Sequence, residues 1–409
     1  MLSMQIFSHN PTSVSAMDLL LKATQYTLDE EAAQMLPEYC LKGPSSSTFT
    51  SSEFLVGLAS YHGVVPLLYK NLKPLLQAPS TDAAPLPCMH ALYKELKGHY
   101  TYITQRNMFM TAELIRIMRL FQRENISLLA FKGPTLAYTA YGDITLRQFG
   151  DLDILIQRKD LSRTIEIMLE EGYIPDVEIP QEEAKHYYDL LTTIGFDKPS
   201  SSMRIEIHWE LLSRNYAISW KSDTLWDHTQ EVMINHTQIP VMRFEDHLLY
   251  LCVHGSKHLF ERIEWICDID RSIRTNSETD WHYIIDKARE TGIFRMLLLG
   301  LSLAVDLYGT SVPEEISGAI SNDRALAKLK KKIIEVCYSA DTEGSKVDKG
   351  YFYTVLMMRE RFSDRIRFLW QALFATQFND INYIRLPKYL RSFYPFIRLY
   401  RLMKKYLLR

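Results

Sequence analysis

Asp151 and Asp153 stand one residue apart in "GDLDILI", and a third acidic residue, Glu206, lies in the alternating stretch "MRIEIHWEL". Alternate residues of a strand project to one face. The two aspartates are therefore expected side by side, and Glu206 joins them if the two strands are neighbours. Three unpaired carboxylates that close together would repel and raise one another's pKa. A divalent cation removes that cost, and hard carboxylate oxygens suit Mg²⁺ or Mn²⁺, which keep further positions for water and phosphate oxygens. Upstream, Lys132 and Gly133 separate the short apolar run "ISLLAF" from the helical stretch "PTLAYTAYG". A strand-to-helix turn of that kind offers backbone N–H groups and the positive end of a helix to phosphates. Arg147, four residues before Asp151, either adds charge at the phosphates or pairs with Asp151 or Asp143. Together these residues imply a metal-nucleotide site.

Other polar residues belong near it. His208 shares a strand face with Arg204 and Glu206, which suits support of a metal ligand or packing, while Trp209 falls on the opposite face with Ile205 and Ile207. His254 and His258 are four apart on a predicted helix, with Lys257 between them and Asp268 downstream. Zinc proteases use that histidine spacing, but "HGSKH" lacks the glutamate they need after the first histidine. Helix packing, or the lining of a nucleotide or acceptor cleft by His254, Lys257 and His258, is the preferred reading.

The elements that must position these residues follow from periodicity. "ISLLAF", "DLDILI" and "MRIEIHWEL" read as strands. Pro134 suits the first turn of a helix that stops at Gly142, and Asp160 suits the N-cap of a helix closed by Gly172. Residues 15–42 and 53–76 have helical spacing, with Ser51 or Ser52 as cap of the second stretch, and residues 88–123 form one or two more helices. Past residue 215 the strand signal fades and helical periodicity dominates. The chain is thus read as a helical region (1–110), an α/β core (111–215) and a second helical region (216–409).

With 409 residues, 47% hydrophobic and 23% charged, the chain is long enough for two or three domains with a substantial core. A formal net charge of −2 excludes a wholly basic nucleic-acid binder. The five cysteines show no paired spacing, so buried free thiols are expected rather than a disulfide framework or a cysteine zinc site. "MLSMQIFSHNPTS" lacks the charged start and apolar run of a secretory signal, and the expected compartment is the cytoplasm.

The order strand, Lys132-Gly133, helix, Arg147, "GDLDILI", helix, "IEIHWEL" resembles the polymerase-β-type nucleotidyltransferase superfamily. Within it the chain is similar to a bacterial branch usually called uncharacterised nucleotidyltransferases, and "DHLLYLCVHGSKHLFERIEWICDID" resembles that branch's helical segment. The resemblance implies an α/β (α+β) core with a small mixed sheet, flanked by helical N-terminal and C-terminal regions. It implies transfer of an NMP from an NTP, ATP being the default, to an acceptor that is a small molecule, a protein hydroxyl or RNA. Asp151 and Asp153 would hold the metals, Glu206 would complete the site, and Lys132, Gly133, Thr135 and Arg147 would serve the nucleotide. Two departures stand out: Pro134 follows Gly133 where the superfamily has Ser or Gly, and the third carboxylate is Glu rather than Asp. Pro134 cannot donate an N–H, which favours as alternative a catalytically silent nucleotide-binding or regulatory module. Asp153→Asn is expected to abolish turnover with an unchanged or raised thermal midpoint.

The segment from Ile381 to Arg409 holds eight basic residues and no acidic one, interleaved with tyrosines and phenylalanines. A polynucleotide or an anionic membrane would suit it. Phe396, Leu399, Met403 and Tyr406 nevertheless share a helical face, so a packed terminal helix with a solvated cationic side is expected.

Overall fold

The computed structural model describes residues 15–28, 30–43, 50–77, 87–338 and 350–406. The stretch "MLSMQIFSHNPTS" lies outside them. Among the described residues a five-stranded mixed sheet forms in the order β1 (Leu128–Ala130), β2 (Leu152–Ile156), β5 (Met203–His208), β4 (Thr193–Lys198) and β3 (Ile174–Pro175). Only the β2–β5 pair is parallel; every other pairing is antiparallel.

The sheet has two unlike faces. Leu152, Ile154 and Ile156 of β2 and Ile205 and Ile207 of β5 pack with Leu114, Ile117 and Phe121 of the helix Pro87–Arg123 in one apolar cluster. Asp153 and Leu155, one residue out of phase, face the other way, where Leu155 joins a larger cluster containing Leu248 and Ile266. Strand alternation thus sends Asp153 toward the helices Phe244–Lys257 and Ile263–Thr275. That larger cluster also contains Leu19, Leu20 and Leu68, so the two helical regions share a core. Position 110 falls inside the continuous helix Pro87–Arg123.

Several local expectations need correction. Thr50, rather than Ser51 or Ser52, caps the helix Ser51–Tyr61, through a reciprocal capping box with Glu53. Asp160 occupies the N-cap position of Leu161–Glu170 without a side-chain capping bond. Strand structure does not end at residue 215. β6 (Thr229–Ile234) and β7 (Thr237–Met242) form a hairpin turned by Asn235 and His236, at φ 48° and 59°. A two-residue turn of this type has positive φ at both positions, which Asn and His accept less readily than glycine. β4 was also unexpected. Its Gly195 leaves room for the Arg204–Asp176 ion pair, which any Cβ would strike.

The C-terminal helix Tyr394–Tyr406 is turned the other way from expectation. Phe396 and Met403 are exposed, and Tyr394 and Arg398 are buried. The reason is Asp380, which is fully buried and requires positive partners. Arg401 Nε donates to it at 2.9 Å, Arg398 Nη1 lies 3.4 Å away, and Arg398 Nε donates to the Ala372 carbonyl at 2.7 Å.

The thiols Cys252 and Cys267 are free and buried, whereas Cys40 and Cys88, also free, are only half-buried. Among the described residues no helix is long and apolar enough to cross a membrane.

Candidate active site

Asp153 and Glu206 are register partners across the parallel β2–β5 pair, and His208 lies two residues beyond Glu206 on the same face. One ligand atom from each of Asp153, Glu206 and His208 falls within 4.8 Å of the others. His208 Nε2 is 3.3 Å from Asp153 Oδ1 and 3.5 Å from Glu206 Oε2, a charge contact without hydrogen-bond alignment. Asp153 Oδ2 is buried and has no hydrogen-bond partner among the described residues. An unpaired buried carboxylate oxygen is costly. Two carboxylates, one of them carrying that orphaned oxygen, and an imidazole fit a divalent cation, the carboxylates favouring a hard one.

Asp151 sits immediately before β2. Burial, then repulsion from Asp153 and, more weakly, from Glu206, push its carboxyl up to about 6 despite Lys132 and Arg147. Asp153 shifts the opposite way: burial would raise it, but Lys132 and His208 outweigh burial and hold it well below the usual carboxylate range. Glu206 is lowered by His208 in spite of its burial. His208 itself, which burial would lower, is raised by Asp153 and Glu206.

Gly133 opens the helix Gly133–Tyr141 at φ +56°, and a Cβ there would stand 3.3 Å from the Asp151 carbonyl oxygen. A left-handed turn this close to neighbouring backbone calls for glycine. Thr135 is buried, and its hydroxyl donates to the Lys132 carbonyl at 2.9 Å, which closes the turn. Lys132 does not reach out to solvent. Its ammonium lies 3.1 Å from Asp153 Oδ1, within 5.5 Å of the Tyr250 ring centre and 5.8 Å of that of Phe131. Burial would lower its pKa, but Asp153, with Tyr250 and Asp151, raises it above that of ordinary lysine.

Arg147 is buried and grips Asp268 with both edges, Nε to Oδ1 at 2.8 Å and Nη2 to Oδ2 at 2.9 Å. Its partner is neither Asp151 nor Asp143. Tyr141 also donates to Asp268, at 2.7 Å. Asp268 is therefore committed to the loop before β2 and does not join His254 and His258. Those histidines pack among rings: His254 stacks on Tyr250 at 5.7 Å and meets Trp265 edge-on at 5.5 Å, and His258 lies 5.1 Å from Trp265. Burial lowers both, His258 to about 4. Lys257 caps this wall. Its ammonium stands 5.6 Å from the Tyr216 ring centre and has no carboxylate within ion-pair distance among the described residues. Its pKa is lowered by burial and by Lys132, against a smaller pull from Glu206 and Asp153.

Sequence reading missed Asp268 as the partner of Arg147 and Tyr250 as a wall of the Lys132 site. The only sequence signal for Asp268 was its place in "ICDID", an acidic residue amid apolar helix positions.

A small mixed sheet with carboxylates on neighbouring strands, a Lys-Gly turn opening the adjacent helix, and flanking helices define a nucleotidyltransferase-type core. The chain belongs to the family described as uncharacterised nucleotidyltransferase, whose pattern matches residues 50–309. Family and fold support a role in nucleotidyl transfer. Among solved structures, the chain is similar to an antigenic nucleotidyltransferase-like protein from Paracoccidioides brasiliensis, at 14% identity and a TM-score of 0.34, over 51% of this chain and 91% of that one. No curated protein matches the chain.

Proposed function

We propose that the protein is a metal-dependent nucleotidyltransferase that moves an NMP from an NTP to an acceptor hydroxyl and releases pyrophosphate. The observation that carries this reading is the Asp153–Glu206 register pair, with its orphaned Asp153 oxygen, beside the Gly133 turn. Asp153 and Glu206, with His208 beside them, would hold Mg²⁺ or Mn²⁺, and Asp151 would complete the set from the residue before β2. Held there, the cation would activate the acceptor oxygen and offset charge on the leaving pyrophosphate. Glu206 also helps to take the acceptor proton.

The triphosphate is received at the N-terminus of the helix Gly133–Tyr141, by backbone N–H groups of Gly133 and Thr135, because Pro134 has none to offer. Lys132 is shared between Asp153 and the phosphates. Lys257, which has no carboxylate within ion-pair distance among the described residues, supplies the second cation. Arg147 acts through position, since its grip on Asp268 fixes the segment leading to Asp151. ATP from the cytoplasmic pool is the first donor to test. Pyrophosphate release should be measured with each NTP over small-molecule, protein and RNA acceptors. Glu206→Gln should be folded and inactive, and an active Glu206→Gln enzyme would sink the assignment.

One observation favours a second reading. Lys132 approaches Asp153 Oδ1 at 3.1 Å and so brings positive charge to the carboxylates from within the chain, and His208, 3.3 Å from the same oxygen, adds to it when protonated. A catalytically silent nucleotide-binding module would bind NTP equally well with and without metal and release no pyrophosphate.

A further inference from the structure

From Arg361 to Arg409 the chain has eleven basic and two acidic residues, in a protein whose net charge is −2. Both acids, Asp364 and Asp380, are buried. The helix Phe362–Phe374 leaves Phe362, Ile366, Trp370 and Leu373 exposed, Phe362 by 76% and Trp370 by 64%. Their spacing places them along one side of the helix. The helix Tyr394–Tyr406, joined to it through Arg398 and the Ala372 carbonyl, leaves Phe396, Tyr400 and Met403 exposed at the same kind of spacing. Tyr389, between the helices, is 81% exposed. Isolated apolar residues on a surface are ordinary, but successive stripes on two packed helices mark a contact surface.

Arg385, Lys388 and Lys404 of the same segment are exposed, Lys404 standing 5.9 Å from the Tyr383 ring centre. None of the three has a carboxylate within ion-pair distance among the described residues. We infer that the face formed by residues 362–404 docks on an anionic lipid bilayer, with the aromatic and aliphatic side chains entering the headgroup region and the basic residues meeting lipid phosphates. Aromatic residues, aliphatic residues and unpaired cations without exposed acids form the pattern of an interfacial binder. A polynucleotide would use the cations and rings but gains little from exposed Ile366, Leu373, Ile384 and Met403. Because the active-site residues lie on the sheet and the helix Gly133–Tyr141, this surface stands or falls independently of the proposed chemistry.

The test is flotation of the full chain with phosphatidylcholine vesicles and with vesicles that also contain phosphatidylglycerol, at low and high salt. The protein should float only with the anionic vesicles and be released by salt. Trp370→Ser/Phe396→Ser should abolish flotation. Arg385→Glu/Lys388→Glu/Lys404→Glu should weaken it on the order of a hundredfold or more. All five positions are exposed, so both variants should keep the wild-type thermal midpoint. A variant that unfolds is replaced by the conservative set Trp370→Gln or Arg385→Gln/Lys388→Gln, read in the same assay. Absence of flotation, flotation unchanged in the variants, salt-sensitive binding to RNA in place of vesicles, or a concentration-dependent dimer that buries Trp370 would each overturn the proposal.

Discussion

Lys132 and Asp153 form a buried ion pair, 3.1 Å from Nζ to Oδ1, between the turn that opens the helix Gly133–Tyr141 and the strand β2. The pair ties the expected phosphate-binding turn to the expected metal ligand. It also separates two carboxylates that the sequence alone treats alike: Asp153 is held ionised by a cation, whereas Asp151 is pushed toward its neutral form.

That difference revises the stability expected of Asp153→Asn. If the carboxylates only repelled one another, the substitution would leave the thermal midpoint unchanged or raise it. Removing the carboxylate instead leaves Lys132 buried without its counter-ion, so Asp153→Asn should cost roughly 3 kcal/mol. Glu206→Gln removes a charge that repels Asp153 and Asp151 and should change stability by less than about 1 kcal/mol. Urea denaturation of the two variants side by side checks the contrast, and equal losses would contradict it.

Arg147→Lys should destabilise the protein by about 2 to 4 kcal/mol despite keeping the charge, because a lysine cannot reproduce the two-pronged contact with Asp268. A double-mutant cycle with Asp268→Asn should show strong coupling between the positions. Additive losses would mean that the contact contributes little.

Gly133→Ala forces a Cβ into a left-handed residue and to within 3.3 Å of the Asp151 carbonyl. It should cost about 1 to 2 kcal/mol and weaken NTP affinity, which calorimetric titration measures. Unchanged affinity would remove the turn from the nucleotide site.

His62 gives the pH dependence a sign. It is buried, accepts the Ile263 N–H on Nδ1 at 3.3 Å, and has its pKa lowered from 6.5 to about 4, chiefly by burial and secondarily by Arg262. A histidine with a depressed folded pKa contributes stability that is full above pH 6.5 and is lost as pH falls toward 4. The loss amounts to roughly 3 kcal/mol. In His62→Gln the midpoint should fall less steeply between those pH values than in wild type.

The parts of the site that follow from period and turn chemistry were legible in the sequence. Alternation placed Glu206 and His208 on one face, and Lys132-Gly133-Pro134 announced the strand-to-helix turn. What escaped depends on distant partners. Arg147 meets Asp268 across 121 residues, and no local signal links them. β4 was hidden by Gly195, whose reason is the Arg204–Asp176 pair above it. The β6–β7 hairpin was hidden by Pro240 within β7 and by an Asn-His turn without glycine. In the C-terminal helix the hydrophobic pattern pointed Phe396 and Met403 inward, but buried Asp380 drew Arg398 in and turned them out.

The most direct measurement is the thermal midpoint of wild type and Glu206→Gln with each NTP, in Mg²⁺ or Mn²⁺ and in EDTA. The expected result is stabilisation of wild type by at least one NTP only when the metal is present, with that stabilisation lost in Glu206→Gln. Stabilisation by NTP that is equal in EDTA and equal in the variant would contradict a metal site at Asp153 and Glu206 and leave a nucleotide-binding module without that chemistry.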